Sequence, residues 1–268
     1  MTTSALDKIE TRALAVPGDI SQATAVEQAR AIAEVQAAVV VAQQCPRDMR
    51  RAEAEMRDVC ARLSMAGRAF YKVPNRGTGP SVHLMRELAR IWGNIEYTVR
   101  ELRRDDTEGV SEVLAFAWDV QTNTRSSRSF IVPHAKMVGR NRQPLIDLND
   151  IYLSNQNVGA RAVRECIASV LPTWFTEAAQ ELCRNTIEHG EGKPLADRIA
   201  DMVAAYAKIG VTVDRLESKL GTKRGQWTGA DVADMAIAYT SITREGQDAE
   251  EMFPAARVTA AEITGGAK

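Results

Sequence analysis

Hydrophobic spacing changes character twice along the chain, and the changes divide it. Residues 1–23 carry no period and read as a loose leader. Thr24 to Cys45 has helix-forming composition with Thr24 at the N-cap position, and Pro46 stops it. In the next segment, "RDMRRAEAEMRDVCARLSMAG", Met49, Ala52, Met56, Val59, Leu63 and Ala66 recur every three or four residues. That stripe predicts an amphipathic helix with arginines around it. "GPSVHLMRELARIWG" predicts a third helix, capped by Ser81 and stopped at Gly93. Leu84, Leu88 and Ile91 face its core with Met85 and Trp92, while His83, Arg86 and Arg90 lie on another face.

The period then falls to two. Ile95, Tyr97 and Val99 share one side of "IEYTVRELRR". Leu114, Phe116, Trp118 and Val120 share one side of "SEVLAFAWDV", and Arg128, Phe130 and Val132 one side of "SRSFIVP". With turns at "RDDTEG" and "QTNTRS", and Asn123 or Thr124 at a hairpin tip, these predict an antiparallel meander. His134 to Asp150 has no period and reads as a mobile basic loop. Helical spacing returns from Asn155 to about His189, with a break at Pro172. Val163, Ile167, Val170 and Leu171 form its apolar stripe, and Asn157, Arg161 and Arg164 form another. "EHGEGKP" reads as a linker. Helical patterns follow at 195–208, 212–220 and 228–243, with Thr212 and Thr228 as N-caps.

The expected fold is α+β: helices packed on a short antiparallel β-meander followed by a long helix, plus a small helical C-terminal domain. The expected division is a leader over 1–23, a core over 24–190, the small domain over 191–246 and a disordered tail over 247–268.

Charge adds a location. The 268 residues carry a net charge of −1, yet residues 47–142 hold 18 basic and 12 acidic side chains, and 16 of the 18 are arginine. Arginine's planar fork suits phosphate and stacks on bases, but such a block also fits a solvated, salt-bridged surface. Cys45, Cys60, Cys166 and Cys183 form no paired motif and read as reduced, mostly buried thiols of a cytoplasmic protein. The most apolar run, "AIAEVQAAVVVAQQC", is too short to span a bilayer.

Catalytic motifs are scarce. "NRGTGPS" lacks the lysine of a nucleotide-binding loop and the third glycine of a dinucleotide fingerprint. Its glycines are expected to make a tight turn between two packed helices, with Arg76 in the loop. His83, His134 and His189 stand apart, without zinc-ligand spacing. Asp105, Asp106 and Glu108, together with Asp147 and Asp150, leave a metal-dependent nuclease as one alternative, although turns explain the first group. A protein-only oligomeric module is another. For Arg86, Arg90, Arg161 and Arg164, contact with phosphate competes with pairing to neighbours such as Glu87 and Glu165.

The run "IEYTVRELRRDD…EVLAFAWDVQTNTRSSRSFIVPH", followed by "NQNVGARAVRECIASVLPTWF", resembles the phage single-strand annealing proteins of the RecT and Redβ type. "ARAVRECI" supplies that family's basic-x-x-Arg pattern as Arg161 and Arg164. "AAYAKIGVTVDRLESKLG…WTGADVADMAIAYTSITREG" is similar to the small helical tail of many phage recombination proteins. The family is often lysine-rich, and here the basic block is nearly all arginine. The resemblance implies a non-enzymatic protein, without cofactor, that binds single-stranded DNA and anneals complementary strands without ATP. It implies a ring or helical homo-oligomer in the bacterial host cytoplasm, holding an annealed duplex intermediate. A partner exonuclease or host single-strand-binding protein would meet the C-terminal domain. The residues expected on DNA are Arg161, Arg164, Lys136, Arg140 and Arg142, with Asn157 beside them, Arg125 and Arg128 from the hairpin, and Arg103 and Arg104.

Overall fold

The computed structural model describes residues 22–73, 77–138 and 141–254. Residues 1–21 of the expected leader, the loop residue Arg76, the site residue Arg140 and the last residues of the expected tail lie outside them, and the leader's Gln22 and Ala23 are already helical. The chain forms two compact units, 1–45 and 46–268. The first is represented by one helix, α1 (Gln22–Gln44), in which Thr24 sits inside the helix and not at its cap. Glu27, Arg30 and Glu34 form an ion-paired stripe along it, while Val26, Ile32, Val35, Val40 and Val41 are exposed.

The second unit begins with α2 (Met49–Cys60) and α3 (Leu63–Ala66). Asp48 caps α2 by accepting from the Arg50 and Arg51 amides, at 3.0 and 3.1 Å. Ala52, Met56 and Ala66 of the stripe are buried, with Cys60 beside them, Val59 and Leu63 are half-buried, and Met49, in the first turn, is exposed. The glycine segment then departs from expectation. It is half of a β-hairpin, β1 (Phe70–Val73) against β2 (Gly77–Pro80), with Tyr71 opposite Gly79. A Cβ on Gly79 would lie 2.9 Å from the Tyr71 ring, so the glycine is what lets that ring lie across the hairpin.

Helix α4 (Val82–Trp92) follows, with Ser81 as its cap. The Ser81 hydroxyl accepts from the Leu84 amide at 3.2 Å and donates to the Arg68 carbonyl at 2.6 Å, which fixes the helix start to the preceding turn. Leu84, Met85, Leu88, Ile91 and Trp92 are all buried, as their spacing requires. Gly93 and Asn94, both at positive φ, then turn the chain into the meander β3 (Ile95–Asp105), β4 (Val110–Asp119) and β5 (Thr124–Pro133), in sheet order β3-β4-β5. Asn123, at φ 55°, makes the second hairpin turn.

The expected basic loop is instead a second small hairpin, β6 (Ala135–Val138) and β7 (Asn141–Pro144). The long helix starts seven residues before Asn155, as α5 (Leu148–Val170), and Pro172 separates it from α6 (Thr173–His189). Asp147 caps α5 by accepting from the Asn149 and Asp150 amides at 2.7 and 3.3 Å.

Helix α5 lies across one face of the three-stranded sheet. Gly159 permits this approach, since a Cβ there would fall 2.4 Å from Val99 Cγ1. The small residues of β4, Ala115 and Ala117, turn to that covered face with Val113. The larger Leu114, Phe116 and Trp118 therefore point to the opposite face. In register beside them are Arg100, Thr98 and Glu96 of β3 and Ser129, Ser127 and Arg125 of β5.

The C-terminal region is helical: α7 (Leu195–Lys208), α8 (Val213–Leu220), α9 (Gly229–Glu245) and α10 (Ala249–Met252). Thr228 and Asp231 form a reciprocal capping box at the start of α9. Tyr206, Leu216, Trp227, Met235, Met252 and Phe253 build a second apolar cluster, so ordered structure continues past 247. Helix α9 belongs to both cores. Its Ala233 and Ile237 pack into the main one, and Ser241 Oγ accepts from the Lys72 amide at 2.7 Å.

Candidate nucleic-acid interface

The β6–β7 hairpin and the first half of α5 build a groove beside the sheet. The β6–β7 hairpin is held at its base by His134 N–H donating to Gly109 O (2.7 Å) and Leu145 N–H donating to His134 O (2.8 Å). Along α5, Leu153, Asn157 and Arg161 recur every fourth residue and so share a stripe. Hairpin and stripe enclose a cavity of about 250 Å³, lined by Lys136, Leu145, Asp150, Leu153, Ser154, Asn157, Val158 and Arg161. Lys136, Asn157 and Arg161 are exposed, and neither cation enters an ion pair among the described residues. The groove thus offers one ammonium, one guanidinium and one amide around an apolar floor, with Asp150 as its acidic member.

The other expected residues are dispersed. Lys136 stands opposite Gln143 and Met137 opposite Arg142, which places Arg142 on the other face of the hairpin. Arg125 projects from the uncovered face of the main sheet and lies 4.2 Å over the Trp118 ring. Arg128 is opposite Ala115, at the edge of the covered face. Arg103 and Arg104 pair with Asp105 and Asp106 at 2.6 and 2.7 Å. The side chain of Arg164 is only 14% exposed. Its guanidinium stacks on Tyr71 at 4.2 Å and pairs with Glu165 at 3.0 Å. Arg90 likewise pairs with Glu55 and Glu87, at 2.7 and 2.8 Å, and the Glu87 and Glu55 hydrogen bonds raise its pKa above the ordinary value. Of the four arginines weighed between phosphate and ion pairing, Arg90 and Arg164 are ion-paired within the chain, whereas Arg86 and Arg161 enter no ion pair among the described residues.

The carboxylates have structural partners too. Asp105 accepts from the Glu108 and Thr107 amides, at 3.0 and 3.1 Å. The Glu108 hydrogen bond, with the Arg103 charge, holds its carboxyl below the usual range. Asp147 is the α5 cap. Among the described residues no group of three or more His, Cys, Asp or Glu side chains is placed to hold a metal ion. Beneath the hairpin, Ser111 Oγ donates to Glu101 Oε1 at 2.9 Å and lies 2.8 Å from His134 Nε2. The single hydroxyl proton goes to Glu101, so Nε2 carries the imidazole proton and donates to Ser111. Ser111 is fully buried, and the pair locks the hairpin base.

An apolar rim borders the groove. Ile146 is 86% exposed, and Met137, Leu148, Tyr152 and Leu153 are also exposed. Leu145, Leu153 and Val158 join the expected residues as lining. For Leu153 and Val158 the signal is in "DLND", a helix cap that sets α5 and its Leu153–Asn157–Arg161 stripe in phase. No helix of the described residues is long and apolar enough to cross a membrane. Comparison with protein-family models, curated proteins and solved structures finds no match to this chain.

Proposed function

We propose that the chain binds single-stranded DNA along the Lys136–Asn157–Arg161 groove and anneals complementary strands without ATP, acting as a homo-oligomer in phage recombination in the bacterial cytoplasm. The observation that carries this reading is the convergence in one cavity of Lys136, from the hairpin, with Asn157 and Arg161, which lie 21 and 25 positions further along the chain on α5. Two unpaired cations there fit successive phosphates. Gripping the backbone leaves base edges free, so complementarity is tested by pairing between strands. The grip is largely electrostatic, and affinity falls steeply with salt. The exposed rim at Ile146, Leu148 and Tyr152 supports assembly, since neighbour contacts multiply weak binding by each subunit. In this reading the C-terminal helices receive the exonuclease or single-strand-binding partner.

The test mixes the protein with complementary oligonucleotides at low salt and without nucleotide. Faster pairing than in buffer is expected, with loss of the acceleration in Lys136→Ala/Arg161→Ala. Unaccelerated pairing by the folded protein overturns the annealing reading. An unshifted single strand in a gel, with a stable multimer in solution, would leave a protein-only assembly module.

A further inference from the structure

The uncovered face of the β3–β4–β5 sheet inverts the usual arrangement. A sheet face turned to water ordinarily carries polar residues. Here the helix-covered face has Ala115 and Ala117, and the outer face has Leu114, Phe116 and Trp118 in a row along the central strand. The Arg125 guanidinium carbon lies over the Trp118 ring, 4.2 Å from its centroid, and Trp118 is 3% exposed. Beside this stack, Glu96, Thr98, Arg100 and Phe116 line a shallow cavity of about 370 Å³, with Ile95 and Tyr97 at its margin. Arg100 and Arg125 are exposed and form no ion pair among the described residues.

A dry protein contact would have to desolvate two unpaired guanidiniums, which is costly. Single-stranded nucleic acid suits them. A base stacks on an aromatic ring or on the plane of an arginine, and phosphate meets the charge. We infer that this face is a second binding site, a base-stacking platform for single-stranded nucleic acid. One base stacks on the outer plane of Arg125, which Trp118 supports from below, and a neighbouring base lies against Phe116. Arg100 meets the intervening phosphate. Glu96, on the rung of Trp118 and Arg125, and Glu112, at the far end of the row, repel phosphate and confine the backbone track to the side of the two arginines. The hydroxyls of Thr98, Ser127 and Ser129 border the platform without selecting a sequence.

This site rests on the single-strand reading above, and one experiment separates their failures. Anisotropy compares a labelled thymidine 12-mer with an abasic oligonucleotide of equal phosphate number. The wild-type chain is expected to prefer the thymidine strand about tenfold, the size of one or two stacked bases. Arg125→Lys, which keeps the charge and loses the plane, and Phe116→Ala are each expected to abolish that preference while binding to the abasic strand persists. Arg161→Ala weakens both strands alike. Equal wild-type affinity for the two strands overturns the platform and leaves the groove standing. So does an undiminished preference in Arg125→Lys, whose exposed position spares the fold, or a loss of self-association in Phe116→Ala with preference intact. Binding of neither strand overturns both readings.

Discussion

Arg47 and Asp119, 72 residues apart, meet at 2.9 Å with both side chains almost fully buried. Arg47 also donates to the carbonyls of Trp92 (2.7 Å) and Gly93 (3.0 Å), and its guanidinium lies 4.5 Å over the Trp92 ring. One arginine of the basic block therefore ties the start of α2 to the end of α4 and the end of β4. Removing either partner leaves a buried charge uncompensated. Arg47→Ala or Asp119→Ala is expected to cost about 3–5 kcal/mol in urea unfolding.

Arg161 and Arg164 should separate by assay. Lys136→Ala and Arg161→Ala are each expected to lower the slope of log affinity against log salt by about 0.7 on single-stranded DNA. Arg164→Ala should leave that slope unchanged and destabilise the fold by about 1–2 kcal/mol, because it removes the stack on Tyr71. Titrations at several salt concentrations, with thermal melts of the same variants, decide it. An equal loss of slope in all three would return Arg164 to the DNA.

Gly159 is constrained by its neighbour. Alanine there gains about 1 kcal/mol of helix propensity but drives a Cβ into Val99, a stiff β-branched side chain. Overpacking of this kind costs about 1–3 kcal/mol. A net loss is expected, with partial recovery in Gly159→Ala/Val99→Ala, and a double-mutant cycle of unfolding free energies measures the coupling.

The rim beside the groove should act in assembly. Ile146→Ser with Leu148→Ser touches residues exposed in the single chain, so its thermal unfolding should change by no more than about 0.5 kcal/mol. Sedimentation velocity is expected to show smaller assemblies. Unchanged assembly would move the subunit contact elsewhere.

His83 supplies a pH dependence. Burial, and then the nearby Arg68 charge, lower its pKa, and Arg68 Nη2 lies 2.8 Å from its Nδ1. Below the ordinary histidine value, about 6.5, the unfolded chain takes up a proton that the folded chain resists, so stability falls as pH drops. His83→Gln is expected to flatten the decline in urea midpoint between about pH 7 and pH 5. A decline as steep as in the parent would assign it to other groups.

Caps and long periodic stretches could be read directly. Ser81, Gly93, Thr228 and the buried stripe Val163–Ile167–Val170 stand where spacing puts them, because one helix face must meet the core. The two small hairpins, each of two four-residue strands, were hidden. Four residues with glycine, or four mostly polar ones, hold too little alternation to mark a strand. Alternation in β4 separated its two faces without identifying the covered one. That depended on Gly159, which lets α5 approach Val99, the register partner of Ala115. Charge located the arginine block but carried no information about partners. Arg47 and Arg90 of the block, and Arg164 beyond it, are ion-paired within the chain, whereas Arg161 lines the groove.

Helix α9 has a consequence for dissection of the chain. Its Ala233 and Ile237 complete the main core, and its Ser241 satisfies a strand amide of the glycine hairpin. A chain ending near Gly190 would open a vacancy against α6 and β1 and leave the Lys72 N–H without its acceptor. The last third of the sequence is a keel for the first fold, so loss of activity on truncation would report damage to the hull as readily as loss of a partner.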